Sequence, residues 1–240
     1  MTPRQEKILE LVILEFMKTA HAVGSISIAD KNELNVSPAT IRNEMADLLK
    51  QGFLKKEHFS SGRMPTTVGV RYYIDNLLTE EEFSYKEEMG IKGNLYAHRF
   101  NRDKLLKEAV EVLSNSLNYT SVAISGDSIF YAGISELLDF PEFEEISVLK
   151  NIISVIEDYS LLESIFSKGV EVDGDIKILI GEESGFNSFE NGALVFTGFR
   201  LHKGEQGYIG VFGPIRMKYG KVIPTLKYVS TILNEVISGW

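Results

Sequence analysis

Residues 37–52 constrain the fold more than any other stretch of this chain. Ser37-Pro38 reads as a helix start: a hydroxyl N-cap, then proline at the first helical position, where its missing N–H costs nothing. Ile41, Met45, Leu48 and Leu49 follow at helical spacing, and Gly52 closes the segment. A stripe of this kind must be buried on one side, which leaves the opposite side to solvent. The residues upstream supply something to bury it against. Thr2 and Gln5 have capping-box spacing, Pro3 suits the first helical position, and Ile8, Leu11, Val12, Leu14 and Phe16 predict a helix to about Thr19. Gly24-Ser25 breaks that pattern. Ser27 to Lys31 predicts a short second helix capped by Ser25 or Ser27, followed by a turn over Asn32 to Val36. Helices two and three joined by a tight turn predict a helix-turn-helix.

Phe53-Leu54-Lys55-Lys56 and Met64-Pro65-Thr66 predict two short strands around the polar loop Glu57 to Arg63, a basic hairpin or wing. Thr66 or Thr67 can cap a fourth helix carrying Val70, Tyr73, Ile74, Leu77 and Leu78, and Glu80-Glu81-Glu82 marks a boundary. Residues 1–79 are therefore expected to form a winged-helix DNA-binding domain. Residues 80–118 are expected to form a linker and connecting helix, with helical spacing interrupted near Gly90 and Gly93 and a clear stripe from Leu105 to Leu117. Residues 119–240 predict a sheet domain with strands at Thr120 to Ser125, Ile129 to Ala132, Ile176 to Ile180, Ala193 to Phe199 and Tyr208 to Phe212. Helices are expected near Glu144 to Glu157, Ser160 to Lys168 and Gly220 to Ile237. The fold class is α+β.

Net charge is −9, which by itself argues against a nucleic-acid partner. Its distribution does not. Residues 1–78 hold ten Lys/Arg against nine Asp/Glu, so the remainder holds fifteen against twenty-five. One end can approach DNA while the rest is repelled from it. The chain has no cysteine, which excludes disulfides, thiolate metal sites and cysteine nucleophiles and fits a reducing compartment. The polar start and the lack of a long apolar run predict a cytoplasmic protein with no membrane partner.

The second helix of a helix-turn-helix enters the major groove with its N-terminal residues toward base edges. With Ile41, Met45, Leu48 and Leu49 facing inward, about 100° per residue turns Ala39, Thr40, Arg42, Asn43 and Ala46 outward, with Ser37 at the entrance. Arg can clasp guanine, Asn can clasp adenine, and the Thr methyl can meet a thymine methyl. Lys55, Lys56, Arg63 and Arg71 are expected to contact phosphates, with Ser61 and Gly62 in a wing tip that reaches a neighbouring minor groove. The plainer reading is that Arg42 and Asn43 are solvated residues making weak ion pairs with Glu44 and Asp47, and that Lys55-Lys56 protects a strand edge.

The residues themselves also resemble a known family. Thr2-Pro3-Arg4-Gln5-Glu6-Lys7-Ile8-Leu9, Val23-Gly24-Ser25, the run from Asn35 to Leu48, Ser60-Ser61-Gly62-Arg63-Met64-Pro65-Thr66 and Arg71-Tyr72-Tyr73 are similar to the HrcA family of heat-inducible transcription repressors. Leu137 to Phe143, Ile180-Gly181-Glu182-Glu183 and Gly207 to Met217 resemble that family's C-terminal GAF-like domain. The resemblance implies a dimeric repressor that binds an inverted-repeat operator in double-stranded DNA upstream of chaperone operons, with the GroEL chaperonin favouring its active state. Family members usually carry roughly a further hundred residues in an inserted subdomain associated with dimerisation. Here Ser121 to Ser125 runs almost directly into Ser128 to Gly133, so the insertion is expected to be missing.

Signals for catalysis are weak. His21, His58, His98 and His202 show no metal-ligand spacing, and Gly207-Tyr208-Ile209-Gly210-Val211-Phe212-Gly213 lacks the order of a nucleotide loop and reads as a strand. Glu182-Glu183 and the group Glu142, Glu144 and Glu145 read as acidic surface. The expectation is a non-enzyme with no cofactor, metal or catalytic residue. Two alternatives stand beside the repressor: a metabolite-sensing winged-helix regulator with a pocket in the GAF-like domain, and a winged-helix protein-interaction module that has lost DNA binding.

Overall fold

The computed structural model describes residues 1–31, 35–56, 62–168, 170–172, 176–186, 189–201 and 206–239. The chain separates into two compact units, Met1–Thr79 and Glu80–Trp240. Both mix helices with antiparallel strands, so the architecture is α+β.

The first unit opens with α1 (Pro3–Thr19). Thr2 and Gln5 cap it reciprocally, as their spacing predicts. The short α2 (Ser25–Ala29) and α3 (Pro38–Lys50) follow, then the hairpin of β1 (Leu54–Lys56) and β2 (Arg63–Pro65), then α4 (Thr67–Asn76) capped by Thr66. Ile8, Leu9 and Val12 of α1, Ile28 of α2, Ile41 and Leu48 of α3 and Val70 of α4 are buried. Asn35, three residues before α3, takes a left-handed φ of 49°. For asparagine that costs at most about 1–2 kcal/mol. Burying Ile28 and Ile41 contributes about 1.5–3 kcal/mol each, so packing outweighs the strained residue.

The second helix differs from its sequence reading. It begins at Ser25 rather than Ser27, and its N-cap is Gly24, without a side-chain cap. The Ser27 hydroxyl instead donates to the Gly24 carbonyl at 2.8 Å. A long-range pairing decides the start. Val23 and Arg63 exchange backbone hydrogen bonds at 2.8 and 2.9 Å, which adds a one-residue third strand to the hairpin and fixes where the chain turns into α2.

The second unit begins with α5 (Tyr85–Ala97) and α6 (Arg102–Leu117). It continues through β3 (Thr120–Ser125), β4 (Ser128–Ala132), two 3-10 turns, α7 (Ile146–Ile156), α8 (Tyr159–Phe166), β5 (Val170–Val172), β6 (Ile176–Ile180), β7 (Gly192–Arg200), β8 (Gln206–Pro214) and α9 (Tyr219–Ser238). The strands form one sheet in the order β4-β3-β8-β7-β6-β5, antiparallel throughout. Helices α6 and α9 pack on the sheet, with α5 against both of them. Val122, Ile124, Leu194, Phe196 and Phe212 share a second core with Ile152, Val155 and Ile156 of α7 and Leu162, Ile165 and Phe166 of α8.

Three details depart from the sequence reading of this unit. Helix α5 runs unbroken through Gly90 and Gly93, and the break falls at 98–101. The Ser84–Glu87 capping box starts the helix, Ile91 and Leu95 bury its inner side, and both glycines are exposed, so each costs only about 1 kcal/mol of propensity. The stretch read as a linker and connecting helix therefore consists of two helices in which Leu105, Leu106, Ala109, Val110 and Leu113 are fully buried. Edge strand β5 is additional, too short to show a periodicity. Gly126-Asp127 closes the turn between β3 and β4, with Gly126 at φ 58°.

Pro224 lies inside α9 and lacks the N–H that would bond to the carbonyl four residues earlier. That carbonyl, of Gly220, accepts the Glu81 N–H at 2.7 Å, and Lys227 Nζ reaches Glu80 at 2.8 Å. Among the described residues, no helix is long and apolar enough to cross a membrane.

Candidate nucleic-acid interface

Helix α3 is anchored along one side and open along the other. Ser37 Oγ accepts the Thr40 N–H at 3.1 Å and lies 3.0 Å from Thr40 Oγ1, which fixes the first turn. Ile41, Met45 and Leu48 are buried. Ser37, Ala39, Arg42 and Asn43 are exposed, while Thr40 and Ala46 are half-buried. The burial of the stripe turns Arg42 and Asn43 outward, as the helical period requires.

The plainer reading paired Arg42 with the acids beside it, and those acids are engaged elsewhere. Glu44 accepts Gln5 Nε2 at 3.1 Å and lies 3.5 Å from Arg4 Nη1, both on α1. Asp47 is paired with Lys50 at 3.0 Å. Among the described residues, no hydrogen bond or ion pair holds the side chain of Arg42 or Asn43. The bidentate fork of Arg42 and the amide of Asn43 are therefore available to a partner, and these are the groups suited to guanine and adenine edges.

The hairpin adds cationic groups. Lys55 and Lys56 on β1 are exposed beside buried Leu54. Arg63 is half-buried on β2, with Nη1 donating to the Gly62 carbonyl at 3.1 Å, and Arg71 is half-buried on α4. Gly62 is a correction to the sequence reading. It is buried, not at an exposed tip, and an added Cβ would lie 2.8 Å from Ala22. The glycine lets β2 approach the segment before α2 closely enough for the Val23–Arg63 pairing. Ser61, together with Ser60 and His58, lies outside the described residues.

A cleft of about 370 Å³ runs between Gly24, Ser25 and Ile26 on one side and Ala39, Arg42 and Asn43 on the other, and Arg63 also lines it. Sequence reasoning missed Ile26. Its alternation with Ile28 was the available signal, because a short helix can bury only one of the two. Sequence reasoning also missed the Arg4 and Gln5 contacts to Glu44, which join residues about forty positions apart.

In the second unit two of the acidic candidates, Glu142 and Glu183, are engaged within the fold. Glu142 takes a bidentate bond from Arg216, with Nε at 2.6 Å and Nη2 at 3.2 Å, and the Glu183 carboxylate accepts the Ile180 N–H at 2.8 Å. His98 lies 3.7 Å from Glu108, His21 is exposed, and His58 and His202 fall outside the described residues. Among the described residues, no group of three His, Asp or Glu is placed to hold a metal ion.

Known proteins are similar to this chain along nearly its whole length. The Heat-inducible transcription repressor HrcA of Carboxydothermus hydrogenoformans is 26% identical, with 98% of each chain covered. The protein of the same name from Bacillus pumilus is 25% identical over 100% of this chain and 98% of its own. These alignments run over 338 and 341 positions although this chain has 240 residues, so about a hundred positions of each relative have no counterpart here. A crystal structure of a protein described as hypothetical superposes with a TM-score of 0.78 at 17% identity, over 100% of this chain and 99% of that one, which shows a shared fold. The model of the HrcA protein C-terminal domain matches residues 79–223, more than half of the sequence, and the chain accordingly belongs to the HrcA family.

Proposed function

We propose that this chain is a transcriptional repressor that binds double-stranded DNA through a winged helix-turn-helix in residues 1–79, with residues 80–118 leading into a GAF-like domain at 119–240. One observation carries the reading: α3 presents Arg42 and Asn43 outward with no hydrogen-bond or ion-pair partner among the described residues, while its own carboxylates are occupied by Arg4, Gln5 and Lys50. In this reading Arg42 and Asn43 read base edges, with Ser37, Ala39 and Thr40 lying along the groove. Lys55, Lys56, Arg63 and Arg71 neutralise phosphates. The near-neutral charge of residues 1–78 against −10 in the remainder supports an approach to DNA by this end alone.

The relatives' shared name, Heat-inducible transcription repressor, extends the proposal to heat-shock or chaperone operons and to a cytoplasmic location. A homodimer on an inverted repeat follows because two-fold protein symmetry mirrors operator palindromy. GroEL is the further partner that the family resemblance implies. A metabolite-sensing version needs a cavity in the core between the sheet and α7–α8. Phe143, Phe166, Phe196 and Phe212 there are each at most 1% exposed, and the second unit carries a cleft of about 380 Å³ elsewhere, among α5, α6 and α9.

The test is fluorescence anisotropy with duplexes enriched by the full chain from a randomised pool. Arg42→Ala is expected to weaken the selected duplex by about 1–3 kcal/mol and to relax discrimination at one position. Lys55→Ala is expected to weaken all duplexes alike and to lower the salt slope by about 1. Enrichment of no duplex, or binding that ignores salt, would refute the proposal.

A further inference from the structure

Ile26 is 66% exposed, whereas Ile28 on the same short helix is 1% exposed and holds that helix to the core. A lone exposed aliphatic is ordinary on a protein surface. This one lines the cleft in which the Arg42 guanidinium and the Asn43 amide also stand. The cleft holds both polar and apolar groups, with Ser25 and Arg63 also in its lining. Arg42 and Asn43 offer hydrogen-bonding groups, while the side chains of Ile26 and Ala39 offer only carbon.

Among the base edges of the major groove, the apolar group is the 5-methyl of thymine. Thr40 was the residue expected to meet it. Its hydroxyl is tied to Ser37, it is half-buried, and it does not line the cleft. We infer that Ile26 is a specificity-determining residue whose side chain meets the 5-methyl group of a thymine next to the bases contacted by Arg42 and Asn43, with Ala39 completing the apolar side. This inference rests on the DNA-binding reading and names a base preference within it.

The experiment uses the full chain and the duplex it enriches from a randomised pool, with each thymine replaced in turn by deoxyuridine, which deletes only the methyl. At one thymine position, and at its symmetry mate, wild type is expected to bind the deoxyuridine duplex about three- to fivefold more weakly, the worth of one buried methyl group. Ile26→Ala is expected to bind the thymine duplex weaker by a similar factor and to lose the distinction between the two bases there. Ile26→Val is expected to keep part of it. Both variants should melt with wild type, since the side chain is mostly exposed. Wild-type binding that is indifferent to deoxyuridine at every position overturns the inference. So does an Ile26→Ala chain that keeps the full thymine preference or weakens both duplexes equally. Failure of the DNA-binding reading looks different: no duplex is enriched at all, and the inference falls with it.

Discussion

Gly69→Ala is a substitution for which helix propensity and the packing around this residue give opposite signs. Gly69 is the third residue of α4, and in an isolated helix alanine is more favourable than glycine by about 1 kcal/mol. In this fold an alanine Cβ would fall well inside van der Waals distance of the Phe53 carbonyl oxygen, a backbone atom that cannot swing away. That oxygen accepts the Thr66 N–H at 3.0 Å, the Thr66 hydroxyl donates to the neighbouring Gly52 carbonyl at 2.6 Å, and Thr66 Oγ1 in turn caps α4 by accepting the Gly69 N–H at 3.1 Å. Relief requires α4 to withdraw from the hairpin. Losing the cap costs about 1 kcal/mol, each broken backbone bond about 0.5–1.5 kcal/mol, and the packing of Val70, Tyr73 and Ile74 loosens as well. After the propensity gain is subtracted, Gly69→Ala is expected to destabilise the first unit by about 1–3 kcal/mol. Gly90→Ala and Gly93→Ala are the controls. Among the described residues nothing lies within 4 Å of an added Cβ at either position, so each should stabilise by about 0.5–1 kcal/mol. Urea unfolding followed by far-UV circular dichroism reads all three, with slopes of about 1–3 kcal/mol per molar converting midpoints to energies. A Gly69→Ala midpoint at or above wild type would refute the steric argument, and a lowered midpoint for Gly90→Ala would refute the account of α5.

Other groups give further tests. The Ser84 hydroxyl and backbone N–H bond the Glu87 carboxylate and hold its pKa below the ordinary 4.5, so the stabilisation is complete above 4.5 and fades as pH falls through the lowered value. Ser84→Ala should therefore flatten the acid limb of a thermal-melt profile, and an unchanged limb would count against the capping box. The hydrogen bond from Tyr72 to Glu6, at 2.7 Å, raises the Tyr72 pKa above 10.0, so this contribution is complete below 10 and is lost as pH climbs through the raised value. Tyr72→Phe should remove that part of the alkaline titration seen by ultraviolet absorbance. Glu142→Gln breaks a mostly buried bidentate pair and should cost about 1.5–3 kcal/mol in unfolding experiments while leaving DNA affinity unchanged. Pro224→Ala should stabilise by much less than the ~3 kcal/mol of helix propensity, and hydrogen exchange at the Glu81 amide should accelerate, because the restored helical N–H competes for the Gly220 carbonyl.

What the sequence revealed was local. Thr2, Gln5, Ser37 and Thr66 announce helix starts because a cap needs only neighbours three residues away, and the buried stripe of α3 turns Arg42 and Asn43 outward by period alone. What it hid was settled at a distance. The start of α2 depends on the pairing of Val23 with Arg63, forty positions on, so choosing among nearby serines could not find it. Glu44 looked like a neighbour for Arg42 until α1 folded over to claim it. Gly62 carries the residue type of a loop tip, yet it is enclosed because Ala22 lies against it. Gly90 and Gly93 carry the residue type of a break, yet the helix passes through them because nothing on their side needs filling.

Proline inside a helix is commonly counted as damage, and a designer smoothing α9 would remove Pro224 first. Here the missing donor leaves a carbonyl hook, and the main chain entering the second unit hangs on it at Glu81. The acidic triplet that marks a boundary in the sequence thus includes a fastening point in the fold. An idealised version of this unit would need either to keep the proline or to give that amide another acceptor.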